Sequence, residues 1–301
     1  MTTSPGWSGV FPAATTQFTE DLSLDIDATQ KVQEALVRDG VHGLVILGTV
    51  GEGNTLDFKE KLAVMAATRD VSAGRVPVIA GISEFTTAQA VVVAREAEKL
   101  GVDGLMVLPA MVYVPTDNEL EYHFRTIAAA TNLPIMLYNN PPAYRVDIST
   151  DVLARLADVK NIVAIKESAP NTRRFVDLAN LFGDRFTLFA GLDDVALEGM
   201  LLGAHGWVSG LTNAFPKESL ALVEAVRKGD LKTALAIYSW FMPLLHLDAQ
   251  HDLVQSIKLA ECVMGRGSER VRPPRLSLSG DRRKEVIAMV EKAAATRPMS
   301  A

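Results

Sequence analysis

The feature that most constrains the fold of this chain is an eightfold alternation between short apolar segments and longer segments with helical periodicity. Uninterrupted apolar runs of this length are typical of strands that are covered on both faces. The predicted strands are residues 10–15, 42–48, 76–82, 104–110, 134–139, 162–168, 186–191 and 206–210. The predicted helices are residues 25–39, 58–72, 86–100, 119–131, 150–157, 172–182, 195–202 and 217–228.

Strict alternation makes neighbouring strands parallel, because each helix returns the chain to the same end of the sheet. Eight strands also close a barrel, so the sequence predicts an α/β fold of the (β/α)8 TIM-barrel type. The alternative, a doubly wound open sheet, would need a G-x-G-x-x-G motif after its first strand, where the sequence has none. Three helical segments, 231–247, 253–264 and 282–296, follow. We therefore expect a barrel over residues 1–229 and C-terminal helices over 230–301 that pack on it.

Composition excludes several classes of function. The net charge is −6 and the basic residues form no continuous stripe, which argues against nucleic acid as a partner. Cys262 is the only cysteine, so no internal disulfide can form. No segment approaches about 18 uninterrupted apolar residues, and the first residues lack the basic and apolar regions of a secretion signal. We therefore expect a cytoplasmic protein with no membrane span.

One lysine ends a predicted core strand. Residues 162–168 read IVAIKES, in which Lys166 directly follows a run of apolar residues. Burial of an ammonium group is costly, so a lysine at such a position lowers its pKa, and the neutral amine can attack a carbonyl to form a Schiff base. The alternative is a side chain that extends past the strand end into solvent or pairs with Glu167.

The active site of such a barrel lies at the carboxyl ends of its strands. The residues that the sequence places there are Thr49, Val50, Tyr138, Lys166, Gly191, Val208 and Ser209. If Lys166 condenses with the ketone of a 2-oxo acid, Tyr138 can transfer protons with Thr49 as a relay. The backbone N–H groups of Thr49 and Val50 can bind the substrate carboxylate. Alternatively, Tyr138 is a phenol of the core, Thr49 stabilises its own turn and the glycines mark tight turns.

The sequence offers no convincing metal site. His246, Asp248 and His251 form the only histidine cluster, and side chains five positions apart on a helix diverge. We therefore expect neither a metal nor another cofactor, which disfavours a metal-dependent aldolase.

Three motifs link the chain to a known family: GTVGE after the second strand, YNNP from Tyr138, and NIVAIKES around Lys166. With these motifs the chain resembles the dihydrodipicolinate synthase and N-acetylneuraminate lyase family of class I aldolases. The resemblance implies that Lys166 forms the Schiff base, Tyr138 donates and accepts protons, and Thr49 is the relay hydroxyl. It also implies that the backbone at Thr49 and Val50 binds the carboxylate, that Val208 lines the 2-oxo acid, and that the chain forms a homo-oligomer, a dimer or tetramer.

The chain departs from the dihydrodipicolinate synthases at positions that contact the second substrate. Ala143 stands where those enzymes have an arginine, and their paired tyrosines after the fourth strand become Met111 and Val112, next to Tyr113. Lysine biosynthesis is therefore not the expected role. We expect Arg145 to bind the distal end of the substrate, although a solvated loop arginine is the alternative.

Three functions remain open from the sequence. The first is a Schiff-base-forming lyase, that is, an aldolase, synthase or dehydratase, which acts on pyruvate or another 2-oxo acid through Lys166. The resemblance leaves sugar-acid aldolases and dehydratases of the family open within this class. The second uses the same lysine to open a pyrroline hydroxycarboxylate ring with release of ammonia, because YNNPPAYRVD together with GWVSG resembles the branch of the family that acts on this compound. The third is a barrel that binds a small acid without catalysis.

Overall fold

The computed structural model describes residues 5–110 and 113–298, and these residues form the predicted (β/α)8 barrel. Its strands are β1 (Gly9–Pro12), β2 (Leu44–Ile46), β3 (Val78–Ile82), β4 (Gly104–Val107), β5 (Ile135–Asn139), β6 (Ile162–Glu167), β7 (Thr187–Ala190) and β8 (Gly206–Ser209). All ladders are parallel and β1 pairs with β8. A parallel bridge between Ala13 and Val45 joins β1 to β2 and completes the circle.

Helices cover the outside of the strands. They are α1 (Ile26–Asp39), α2 (Phe58–Ser72), α3 (Thr87–Lys99), α4 (Asp117–Ala128), α5 (Pro141–Tyr144), α6 (Thr150–Leu156), α7 (Arg173–Phe182), α8 (Ala196–Leu201), α9 (Pro216–Arg227), α10 (Leu231–Leu245), α11 (Leu253–Val263) and α12 (Gly280–Ala295). Of these, α5 was not predicted. None of the described helices is both long enough and apolar enough to span a membrane.

The strand residues are buried, with Thr187 alone partly exposed, as expected for a sheet covered by helices outside and packed side chains inside. The observed strands are shorter than the predicted ones, and β2 has only three residues. The chain leaves β2 at Leu47, which adopts a φ of 59° in the left-handed region and starts a tight turn. The predicted strand 42–48 is therefore too long, because its last residues belong to that turn.

The helices after α9 connect back to the loops at the carboxyl ends of the strands. Lys258 on α11 is fully buried, and its Nζ donates to Glu52 Oε1 at 3.0 Å and to the carbonyl of Thr16 at 2.8 Å. Removing one member of such a pair would leave an uncompensated buried charge, so the contact fixes the tail to the turn after β2. The division of the chain at residue 229 stays a prediction.

One part of the tail differs from the sequence prediction. The helix predicted over 231–247 ends at Leu245, and a 3-10 turn, His246–Ala249, follows. Pro243 lies in the last turn of α10. The assumption that His246, Asp248 and His251 share one helix was therefore wrong, and the turn directs Asp248 toward the barrel.

Gly43, just before β2, allows the ring of Phe11 to pack against the backbone. A methyl group at this position would lie 2.1 Å from Phe11 Cε1, and Phe11 is itself buried against Phe189. We expect Gly43→Ala to lower the free energy of unfolding by about 1–3 kcal/mol, because the core must shift to relieve the clash. Urea denaturation would measure it.

The control is a double-mutant cycle with Phe11→Leu. The smaller side chain should relieve the clash, so the double variant should be more stable than the sum of the two single effects predicts. Strict additivity would contradict the proposed contact.

Candidate active site

Lys166 lies inside the barrel near the carboxyl end of β6. Its register partners are Tyr138 on β5 and Phe189 on β7, and only 5% of the residue is exposed. Burial lowers the pKa of Lys166 from its usual value. Within the described residues its Nζ forms no hydrogen bond or ion pair, and it lies 3.9 Å from the centre of the Tyr138 ring. This environment favours the neutral amine.

The alternative interpretation, a lysine paired with Glu167, is wrong. The Glu167 side chain points to the other face of β6, where it accepts from Arg174 Nε at 2.7 Å and from Asn139 Nδ2 at 3.0 Å. Neighbouring residues of a strand face opposite sides of the sheet. The geometry of the strand therefore prevents Lys166 from pairing with Glu167.

Tyr138 is held at the end of β5 beside this amine. Its hydroxyl accepts from Asn140 Nδ2 at 2.9 Å, and burial raises the pKa of Tyr138 to about 12. A phenol with this pKa is protonated at neutral pH and becomes a strong base when it loses its proton. Tyr138 thus has the position and the acidity of a proton carrier for a group bound at Lys166.

A second phenol, Tyr144, was not identified from the sequence. It ends α5, a single helical turn that begins after Asn140 with proline at its first position and ends at Arg145 with a φ of 58°. The rings of Tyr138 and Tyr144 meet edge to face with centroids 5.6 Å apart, and the Tyr144 hydroxyl is hydrogen-bonded to Thr49 Oγ1. Burial raises the pKa of Tyr144 above its ordinary value.

Tyr144 therefore contacts both Tyr138 and Thr49, two predicted site residues that are far apart in the sequence. A hydrogen bond from Tyr144 acts to lower the pKa of Tyr138, although burial outweighs it. Proline at the start of a short turn was the available sequence signal for α5. The contact with Thr49 depends on the tertiary fold and has no local sequence signal.

The turn after β2 presents unpaired backbone donors. The N–H groups of Thr49 and Val50 donate to no described partner, whereas the N–H of Glu52 donates to the carbonyl of Thr49 at 3.1 Å. Glu52 is fixed by Lys258 and by the backbone N–H of Arg272. Successive free N–H groups in a rigid turn form an anion site without using a charged side chain.

These groups line one cavity at the carboxyl ends of the strands. Its lining residues are Ala13, Gly48, Thr49, Val50, Met106, Tyr138, Asn140, Ala143, Lys166, Gly191, Leu192, Val208, Gly210, Asp248 and Leu253. The cavity has a volume of about 30 Å³. A larger cavity of about 700 Å³ lies near Trp7, His42 and Arg75, but no lysine lines it.

The remaining predicted residues divide into two groups. Val208 and Gly191 line the cavity, and a side chain at Gly191 would place its first carbon 2.6 Å from Lys166 Cγ, so glycine makes room for the lysine. Ser209 is fully buried and bonded to Asp193 and to the N–H of Thr212, and Arg145 is exposed. The structure does not bring Ser209 or Arg145 to the cavity, and their substrate contacts stay predictions.

Two carboxylates near Lys166 were also missed. Asp193 is fully buried and accepts from Trp207 Nε1 and the Leu211 N–H, both at 2.9 Å, and its own N–H donates to Asp248 Oδ2 at 3.2 Å. Burial raises the pKa of Asp193, and it raises the pKa of Asp248 to about 6, with the charge of Lys166 acting in the opposite direction. A positive charge at Lys166, such as that of a protonated imine, therefore favours the ionised form of Asp248. Its position depends on how the tail folds back.

The fold and the geometry at the strand ends define the class: a (β/α)8 barrel with a cavity lined by a buried lysine and a phenol, and with a second phenol packed against the first. The model of the dihydrodipicolinate synthetase family matches residues 6–293, and the chain belongs to this family of class I aldolase-type lyases. A relative from Rhodopseudomonas palustris, named 4-hydroxy-tetrahydrodipicolinate synthase, is 36% identical over 279 residues, covering 93% of this chain and 94% of the relative.

Solved structures agree with this assignment. Dihydrodipicolinate synthase from Aquifex aeolicus superposes with a TM-score of 0.92 at 31% identity, over 96% of this chain and 98% of that one. YagE, a prophage protein of the same family from Escherichia coli K12, was solved in complex with pyruvate. It superposes with a TM-score of 0.91 at 27% identity, over 96% of this chain and 99% of YagE.

Proposed function

We propose that this protein is a lyase that binds a 2-oxo acid such as pyruvate as a Schiff base on Lys166. The observation that carries the proposal is the side chain of Lys166, which is buried, has a lowered pKa and no ion-pair partner among the described residues, and faces Tyr138. A neutral amine in a closed site attacks a ketone, whereas an ammonium group does not. The family and the pyruvate bound by YagE support the same chemistry.

The first step joins Lys166 Nζ to C2 of the 2-oxo acid. Tyr138 carries a proton from the nitrogen to the former carbonyl oxygen and then donates its own proton to the departing hydroxyl. Water, a protonated imine and a Tyr138 phenolate result, so the charges balance. The phenolate can then take a proton from C3 to give an enamine, which is the nucleophile or leaving group for bond making or breaking at C3.

Two further groups assist this step. The free N–H groups of Thr49 and Val50 bind the carboxylate of the 2-oxo acid, which fixes its ketone relative to Lys166. Tyr144 and Thr49 extend the proton path from Tyr138 through their shared hydrogen bond. In this role Tyr144 and Thr49 act as positioning and relay residues, because Tyr138 faces the reacting atoms.

In this proposal, the chain differs from the relatives named as synthases in the second reactant that it uses. Ala143 lines the cavity, and no arginine does so among the described residues, which supports a reaction other than dihydrodipicolinate synthesis. The same absence of a second cation favours substrates with one carboxylate. A second candidate is therefore the hydrolytic opening of a hydroxylated pyrroline carboxylate on Lys166, which would release ammonia.

The proposal extends to the setting in which the enzyme works. We propose a homo-oligomer that acts in the cytoplasm, with no metal or other cofactor. The exposed apolar side chains of Phe85, Tyr113 and Tyr122 support an interface between copies of the chain. Met111 and Val112, which replace the paired tyrosines of the synthases, lie outside the described residues.

Reduction with borohydride in the presence of pyruvate tests the proposal. Imine reduction should attach pyruvate irreversibly to one lysine, and peptide mass spectrometry should locate it at Lys166. Ammonia release from a hydroxypyrroline carboxylate would favour the second candidate. If Lys166 stays unmodified and no 2-oxo acid in a panel is consumed, the barrel binds its ligand without this chemistry and the proposal fails.

A further inference from the structure

Asp248 lines the Lys166 cavity, and only one of its two carboxylate oxygens has a hydrogen-bond partner among the described residues. Oδ2 is fixed by the N–H of Asp193 at 3.2 Å, whereas Oδ1 has no hydrogen-bond partner among the described residues. Gly210 makes room for it, since the first carbon of a side chain there would lie 2.8 Å from Oδ1. A carboxylate held in this way presents one free acceptor to whatever shares the cavity with Lys166.

The charges around the cavity restrict the chemistry of the second reactant. Lys166 is the only basic residue in the lining and reacts with the 2-oxo acid, so no cation remains for a second carboxylate. A carboxylate near Asp248 would be repelled by it. An ammonium group would suit Asp248 but would approach the protonated imine. A neutral hydroxyl group satisfies Oδ1 without either penalty, because it donates a hydrogen bond to a charged acceptor.

We propose that Asp248 selects a neutral, hydroxyl-bearing aldehyde as the partner of the Lys166-bound 2-oxo acid. This inference rests on the proposed function. The enamine C3 forms a bond to the aldehyde carbon, and the aldehyde oxygen takes the proton of the Tyr138 phenol. Water then hydrolyses the protonated imine to release a hydroxylated 2-oxo acid and the free amine, and the Tyr138 phenolate takes back the proton. The reverse reaction cleaves the same bond. Asp248 accepts from a hydroxyl of the aldehyde and is a specificity-determining residue.

Aldol addition of pyruvate to three aldehydes tests this role. Glyceraldehyde carries hydroxyl groups, propanal carries none, and succinic semialdehyde carries a distal carboxylate. The wild type should have the highest kcat/KM for glyceraldehyde. Asp248→Ala should lower the ratio of kcat/KM for glyceraldehyde to that for propanal by about 10- to 100-fold, the value of a hydrogen bond to a charged group.

Asp248→Asn is the second variant, because its amide can still accept a hydrogen bond but carries no charge. Its ratio of kcat/KM for glyceraldehyde to that for propanal should fall less than in Asp248→Ala. Its ratio of kcat/KM for succinic semialdehyde to that for propanal should be higher than in the wild type. Both predictions are ratios measured within one protein preparation, so partial loss of folded protein does not alter them.

Asp194→Asn is the matched control. Asp194 lies outside the cavity lining, and its Oδ2 accepts a hydrogen bond from His246 Nδ1 at 2.9 Å. Asp194→Asn therefore disturbs the 3-10 turn that carries Asp248 but leaves the cavity carboxylate in place. Its aldehyde preference should match that of the wild type. Equal loss of preference in Asp194→Asn and Asp248→Ala, or no loss in Asp248→Ala, would overturn the inference. Failure of wild-type borohydride trapping would instead overturn the proposed function.

Discussion

Replacing Lys166 with methionine is expected to lower the rate of pyruvate turnover on the order of 10⁴-fold or more, because no other group can form the imine. Lys166→Arg should fail equally, since a guanidinium stays protonated in proteins. Proton exchange at C3 of pyruvate in heavy water, followed by NMR, measures the loss without knowledge of the second reactant.

Stability gives an independent check on this prediction. The pKa of Lys166 is lowered by folding, so the buried amine opposes folding at any pH below its unfolded pKa, neutral pH included. This penalty decreases as the pH rises toward the unfolded pKa. Lys166→Met should therefore unfold at the same or a higher temperature than the wild type at neutral pH. Its inactivity would then not be caused by unfolding.

The control is Lys160→Met, which removes an exposed lysine just before β6. It should keep the wild-type exchange rate. Exchange in Lys166→Met at more than about a tenth of the wild-type rate would show that another group performs the chemistry, because loss of a nucleophile is never so mild.

Removing the hydroxyl group of Tyr138 or of Tyr144 is expected to slow proton transfer. Tyr138→Phe should lower kcat for C3 exchange by about 10²- to 10⁴-fold, the usual contribution of a positioned acid and base. Tyr144→Phe should lower it less, by about tenfold or more, because Tyr144 acts through Tyr138. In both variants KM for pyruvate should change little, since the carboxylate is bound by backbone N–H groups.

Tyr113→Phe is the matched control for these variants. Tyr113 is 60% exposed and its hydroxyl donates to Glu119 on the surface. It should keep the wild-type kcat. If Tyr144→Phe behaves like Tyr113→Phe, or if Tyr113→Phe alone loses activity, the proton path does not run through Tyr144. A change in the pH profile of Tyr144→Phe without a change in KM would separate a relay role from a structural one.

Strand-based reasoning predicted much of the cavity from the sequence. Lys166, Tyr138 and Gly191 could be placed because apolar runs locate strand ends, and parallel strands bring those ends together. The fold class followed from the same pattern, although the strands were drawn too long where loops continue the apolar composition, as at Leu47.

The site residues that the sequence did not reveal lie on short turns and not at strand ends. Tyr144 lies on a single helical turn and packs against Tyr138, whereas Asp248 lies on a 3-10 turn and reaches the cavity because the tail folds back. Their neighbours in sequence carry no periodic signal, so local patterns could not distinguish Tyr144 from Arg145 as the residue that points inward. Asp248 was considered only as part of a metal cluster, which was rejected on the assumption that the chain continues as a helix.

The buried contact between Lys258 and Glu52 has a consequence for how such a barrel can diversify. The residues that we propose to form the imine come from the first two thirds of the chain, whereas Asp248 and Leu253 come from the tail that this contact holds in place. Substitutions in the tail can alter what reacts with the imine and leave the imine itself intact. Variation of the tail thus offers a route toward new reactants in which the lysine and the phenol beside it are kept.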